Sequence, residues 1–124
     1  AYAARFDPTL RELDDIKTAV SEAVTNCIVH AYKNEPDEKK KRIYIEASYD
    51  EIGIFTVTIK DKGCGIPDVK KAMEPLYTTD AESERSGMGF SIMETFTDRL
   101  RVRSNTGRGT SVTMIKRLSP KKGL

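Results

Sequence analysis

The chain has no tryptophan, a single histidine, His30, and two cysteines, Cys27 and Cys64. One histidine excludes a multi-histidine metal site and argues against a Ser-His-Asp triad; His30 itself reads as a helix-end packing residue. The cysteines have no metal-ligand spacing and read as reduced thiols of a cytoplasmic protein. No apolar stretch approaches the ~20 residues that span a bilayer, and the start carries no signal-peptide pattern. There is no G-x-x-x-x-G-K-[ST] and no G-x-G-x-x-G, which excludes a P-loop and a dinucleotide fingerprint. The absence of H-R-D and D-F-G excludes the usual eukaryotic protein kinase. No charge of one sign dominates: the formal net charge is +2, with acids and bases interspersed. That argues against direct nucleic-acid binding, and the basic run Glu38 to Arg42 reads as a solvated loop.

What is present is a chain of 124 residues, 38% hydrophobic and 32% charged, enough for one folded domain. Against that charge density, the stretch between Lys17 and Lys33 carries one formal charge, Glu22. A surface helix would show Lys and Glu on its outer face, so something covers this one. Thr9 with Glu12 has the capping-box pattern. Leu13, Ile16, Val20, Val24, Cys27, Ile28 and Ala31 fall on one helical face, the expected core. At about 100° per residue, Glu22 and Asn26 project from the other side, beside Thr18, Ala19 and Val29.

The helix is expected to end between Tyr32 and Glu35, after an opening helix tail stopped at Asp7-Pro8. Strands are expected over Ile43 to Tyr49 and Ile54 to Lys60, with Ile43, Ile45, Ala47, Tyr49, Phe55, Val57 and Ile59 inward. A short helix follows from Asp68 to Glu74. A longer one runs from about Gly89 to Asp98, burying Phe90, Met93 and Phe96 or Thr97. Strands Leu100 to Ser104 and Thr110 to Arg117 close the chain. This order predicts an α+β fold, a two-layer sandwich with helices on one face of a mixed, mostly antiparallel sheet.

Three further motifs carry chemistry. Asp61-Lys62-Gly63-Cys64-Gly65 leaves a strand with a carboxylate that can accept from a base amino group, beside glycines that permit close ligand approach. The ordinary alternative is a turn. Glu84-Arg85-Ser86-Gly87-Met88-Gly89-Phe90 sets two glycines at an expected helix start, where free N–H groups and the helix dipole attract phosphate; Arg85 adds a charge-assisted donor. Gly107-Arg108-Gly109-Thr110 joins the last strands and has a hairpin turn as its plain reading.

In order, E-x-x-x-N on a helix, D-x-G-x-G, S-G-M-G-F and G-x-G-T resemble the ATP-binding superfamily of gyrase, the large heat-shock chaperone, mismatch-repair ATPases and histidine kinases. Ser21-Glu22-Ala23-Val24-Thr25-Asn26, Pro75-Leu76-Tyr77-Thr78-Thr79 and the string from Glu84 to Phe90 are closer to one branch, the sporulation anti-sigma-F factors, which are serine kinases. The resemblance covers residues 1–118 as an ATP-binding domain of the Bergerat type, with a lid at about 68–88 and a tail at 119–124. It implies that Asn26 ligates Mg²⁺ bridging the phosphates of ATP or ADP, and that Glu22 polarises the attacking hydroxyl. It implies that Asp61 contacts the adenine amino group with Gly63, Gly65 and Thr110 around it. Gly87 and Gly89 would cradle phosphate, flanked by Ser86, Met88 and Phe90, with Thr78, Thr79 and Arg85 as lid contacts. The implied partners are a sporulation sigma factor, an anti-anti-sigma factor as phosphorylation substrate, and a second copy in a full-length homodimer; no membrane is among them. The family pattern places a strand and most of a helix ahead of the segment that matches Ala1, so the N-terminal strand of the family is expected to be missing here. Alternatives within reach are a stress-response switch kinase of the same mechanism, the catalytic domain of a histidine kinase, and a nucleotide-dependent sigma-binding module without catalysis.

Overall fold

Thr9 opens the first helix. Its hydroxyl accepts from the Glu12 N–H at 3.0 Å, and the Glu12 carboxylate accepts from the Thr9 N–H at 2.8 Å, the reciprocal pair its spacing predicts. Helix α1 then runs Leu10–Asn26. The computed structural model describes residues 9–74 and 81–119, and for 81–88 the backbone alone. The helix tail expected before Asp7, the lid residues Thr78 and Thr79, and most of the C-terminal tail lie outside these residues. Past Asn26 the chain stays helical but widens into a single π turn, Cys27–Ala31, before Tyr32 ends it. Apolar spacing does not reveal that turn. Such turns insert a residue into the helical register and are frequent at functional sites.

Strands β1 (Ile43–Tyr49), β2 (Ile54–Asp61), β3 (Arg99–Asn105) and β4 (Gly109–Arg117) form one sheet in the order β1-β2-β4-β3. Each pairing is antiparallel. Asp50 closes the first hairpin, its Oδ1 accepting from the N–H groups of Ile52 and Ile54 at 3.0 Å each. A short helix α2 (Val69–Ala72) is capped by Asp68, whose carboxylate accepts from the Lys71 N–H at 3.1 Å. Helix α3 runs Ala81–Phe96. Ala19, Ala23 and Cys27 of the first helix meet Phe90 and Met93 of α3 over Val57, Ile59, Val112 and Met114 of the sheet. Burying side chains such as Ile59 and Met93 stabilises the fold by about 1.5–3 kcal/mol each.

Three expectations are corrected. The buried stripe of α1 is Ala19 and Ala23, with Cys27 of the π turn buried as expected, whereas Leu13 is 48% and Ile28 66% exposed. The reason is the partner: α1 lies close against α3, and alanines permit that approach where larger residues would hold the helices apart. On β1, Ile45 faces the helix layer by register yet is 56% exposed, because β1 is an edge strand and the helices lie over β2, β3 and β4. Finally, α3 begins about two turns ahead of the expected start near Gly89, since Ala81, Glu82, Glu84 and Arg85 are good helix formers. Gly87 and Gly89 therefore sit in a helix interior rather than at a free N-terminus.

Candidate functional site

The π turn, the ends of β2 and β4 and the middle of α3 enclose a cavity of about 60 Å³. Phe90 and Val112 give it an apolar wall, and Asn26, Asp61 and Thr110 give it polar groups. Asp61, the last residue of β2, is 8% exposed. Its Oδ1 accepts from the N–H groups of Gly63 at 3.0 Å and Thr110 at 3.2 Å, and its Oδ2 accepts from the Cys27 thiol at 3.5 Å. Two backbone donors thus fix the carboxylate, while the weak thiol donor leaves Oδ2 open to a better one. Burial first, then the charge of Asp61 and the hydrogen bond to it, push the Cys27 thiol up to about 12. It stays protonated and donates.

The loop after Asp61 is held on both sides. The Cys64 N–H donates to the Ala31 carbonyl and the Gly107 N–H donates to the Cys64 carbonyl, each at 2.8 Å. The Tyr32 hydroxyl accepts from the Lys62 N–H at 2.8 Å and donates to the Arg42 carbonyl. Gly63 faces the π turn, where a Cβ would fall 2.1 Å from the Ala31 oxygen, and Gly65, against Asn105, lines the cavity. Gly109 has φ +112° and a Cβ there would lie 2.1 Å from the Asp61 backbone carbonyl oxygen, so no other residue fits against the end of β2. The Thr110 hydroxyl shares a 2.8 Å hydrogen bond with Ser104 Oγ.

Glu22 and Asn26 project side by side toward α3 at Gly89. A Cβ on Gly89 would lie 3.2 Å from Asn26 Oδ1, 3.3 Å from Asn26 Nδ2 and 3.5 Å from Glu22 Oε2. Asn26 Nδ2 is buried and has no hydrogen-bond partner. Leaving such a group unpaired costs about 1–3 kcal/mol, and a catalytic role or a bound water or ion is among the reasons a native structure keeps one. With nothing fixing it, the carboxamide can turn to present its oxygen. Among the described residues no group of three or more His, Cys, Asp and Glu could hold a metal ion. A cation at Asn26 would take its other ligands from a bound molecule and water, the habit of Mg²⁺.

Residues 1–116 match the family of histidine kinase-like ATPase domains. A relative from Halalkalibacterium halodurans is 51% identical over 124 residues, all of this chain and 82% of the relative. One from Pasteuria penetrans is 52% identical over 118 residues, 95% of this chain and 77% of the relative. Both are named anti-sigma F factor. The chain belongs to the anti-sigma F factors. Its fold is also that of the blue-light activated histidine kinase of Erythrobacter litoralis EL346, with a TM-score of 0.68 and 24% identity over 95% of this chain and 34% of that one. The mycobacterial sensor histidine kinase MprB gives 0.57 at 22% identity, over 84% of this chain and 73% of that one. Membership makes this an ATP-using, kinase-like, nucleotide-binding domain.

In this member of the family the structure gathers Glu22, Asn26, Gly89 and Phe90 on one side, and Asp61, Gly65 and Thr110 on the other. The backbones of Arg85, Ser86, Gly87 and Met88 lie in α3. Sequence reasoning missed Cys27, His30, Cys64 and Ile66 as cavity lining. His30 could have been found: four residues past Asn26, it stays on its side of the helical path. Cys64 and Ile66 owe their place to the loop contacts, which no spacing encodes.

Proposed function

We propose that this chain is a protein serine kinase that also binds and inhibits a sporulation sigma factor, using Mg·ATP to phosphorylate a serine of an anti-anti-sigma factor. The observation that carries the reading is the Glu22–Asn26 pair: a half-buried carboxamide whose buried Nδ2 has no partner, one helical turn from a carboxylate that, among the described residues, makes no hydrogen bond or ion pair. A carboxamide free to turn can offer its oxygen to a metal bound to phosphate, and an unpaired carboxylate can accept from a hydroxyl nucleophile. The names of the relatives supply the sigma factor.

Asp61 Oδ2 takes the adenine amino group as acceptor, displacing the Cys27 thiol, while Gly63 and Thr110 keep the carboxylate aimed. Phe90 and Val112 flank the base. The Asn26 oxygen would hold Mg²⁺, which would supply charge to offset that of the phosphates. Glu22 accepts the hydrogen bond of the incoming serine hydroxyl and takes its proton as Oγ bonds to the γ-phosphorus and the bond to the β-phosphate oxygen breaks, releasing ADP. Positioning and charge neutralisation carry most of such a transfer, and a general base typically adds 10²–10⁴-fold.

The cavity of about 60 Å³ falls well below the roughly 300 Å³ of an ordinary ligand pocket. Admission of a purine requires it to widen, and exposure of the Gly87 and Gly89 N–H groups to phosphate requires the first turns of α3 to open. Both glycines weaken the helix there. The test is transfer of labelled γ-phosphate to purified anti-anti-sigma factor, with phosphoserine identified in the product. Asn26→Ala weakens Mg²⁺-dependent ATP binding; label on another residue type, or none despite tight ATP binding, contradicts the kinase reading.

A further inference from the structure

The face of the sheet turned away from the helices carries a charge pattern that ATP chemistry does not use. The strand registers set Tyr44, Lys60, Ser111 and Arg103 in one row across all four strands. The next row holds Glu46, Thr58, Thr113 and Arg101. Arg99, Arg101 and Arg103 stand on the outer face of β3, all exposed, at steps of roughly 7 Å. At the end of the first row Tyr44, Lys60, Lys62, Arg103 and Arg108 border a cleft of about 460 Å³ that reaches Asp61 and Thr110 at its inner edge. Lys62 Nζ lies 5.3 Å from the centre of the Tyr44 ring. Among the described residues none of Lys60, Lys62, Arg99, Arg101, Arg103 and Arg108 forms an ion pair, and Glu46 is the exposed carboxylate of the cleft. In a chain of net charge +2 this collects positive charge on one face and leaves the remainder net acidic.

Charged side chains on an edge strand guard against edge-to-edge pairing, which accounts for arginines on β3. It does not account for Lys60, which stands on β2 between two other strands, nor for Lys62 and Arg108 converging on it. Unneutralised like charges so close repel one another, so the array is built for an anion. Its extent decides which kind. From Tyr44 to Arg103 the row spans roughly 14 Å and the arginines run as far again along β3. A small anion would occupy one end only. Acidic residues four apart on a helix are about 6 Å from one another, and alternate residues of an extended segment about 7 Å. Either spacing matches the array, and guanidinium forks pair well with carboxylates. A nucleic acid fits less well: Tyr44 is the single aromatic residue of the cleft, with Lys62 over its ring, whereas single-strand binders stack successive bases on several aromatic side chains.

We propose that the outer face of the sheet docks an acidic segment of a protein partner, its carboxylates paired with Lys60, Arg101 and Arg103. This surface lies across the sheet from the Glu22–Asn26 pair and does not depend on its chemistry.

The probe is a fluorescein-labelled peptide of Glu-Thr repeats, with a labelled single-stranded oligonucleotide of equal charge beside it, followed by anisotropy at an ionic strength of about 0.15 M. The expected result is saturable binding of the peptide, tighter than that of the oligonucleotide, weakened at least about tenfold in Arg101→Glu/Arg103→Glu. Arg101→Gln/Arg103→Gln, which removes charge without reversing it, loses less. Both variants keep the wild-type thermal melt and ATP affinity, because the altered side chains are exposed and far from the core. The proposal is overturned if the peptide does not bind, if the charge-reversed variant binds it as well as wild type, or if the oligonucleotide binds more tightly and loses affinity in the same variants.

Discussion

Replacing Gly89 by alanine should move stability and function in opposite directions. Gly89 lies inside α3, where glycine is about 0.8–1 kcal/mol less favourable than alanine. The added methyl would sit 3.2–3.5 Å from the Asn26 carboxamide and Glu22 Oε2. Asn26 can retreat by a few tenths of an ångström without loss, because its Nδ2 has no hydrogen bond to break. The net change is a gain of about 0.5–1 kcal/mol, read as a rise of about 2–6 °C in Tm and a higher urea midpoint at unchanged slope. The same displacement moves the proposed metal ligand, and a stiffer α3 resists opening. Both weaken Mg·ATP, by about tenfold or 1.4 kcal/mol, measured by calorimetric titration with and without Mg²⁺. A variant that is more stable and binds Mg·ATP as tightly as wild type would refute the placement of Asn26 at the phosphates.

Asp61→Ala leaves the N–H groups of Gly63 and Thr110 without their acceptor and should lower the unfolding free energy by about 1–3 kcal/mol for each. Asp61→Asn keeps an acceptor for them, so it should fold as wild type yet bind ATP more weakly in the same titration. Cys27 gives a pH signature. Its thiol loses its proton near 9.0 when unfolded and near 12 when folded, so above about pH 9 the native state holds a proton that the unfolded chain has released, and stability falls until the folded thiol titrates. Urea midpoints from pH 8 upward should decline more steeply for wild type than for Cys27→Ala. Cys64 lines the cavity, so ATP should slow its alkylation by a maleimide, followed by mass spectrometry.

The elements that sequence reasoning placed well were those set by local chemistry. Thr9 and Glu12 cap α1, and Gly107 and Gly109 turn β3 into β4, because each depends on residues a few positions apart. The site motifs were legible for the same reason: Glu22 and Asn26 share a helical turn, and Asp61 ends a strand. What local pattern could not give was the partner of each face. Leu13 and Ile28 look like core, yet the tertiary contact between α1 and α3 selects Ala19 and Ala23 instead. The π turn at Cys27–Ala31 is fixed by Tyr32, Ala31 and their bonds to the loop after Asp61, thirty residues away in sequence. Gly87 and Gly89 suggested a helix start, but the helix formers ahead of them carried α3 through. The arginines of β3 read as interspersed charge until the register aligned them with Lys60.

In the proposed reaction Glu22 acts on the nucleophile while Asn26 and Asp61 hold the nucleotide. Its most direct test is single-turnover phosphate transfer from ATP to the anti-anti-sigma factor by Glu22→Gln, with ATP affinity measured on the same sample. The account predicts a fall of about 10²–10⁴-fold in the transfer rate with ATP affinity close to wild type. Transfer at the wild-type rate would contradict it, as would a loss of transfer fully explained by lost ATP binding.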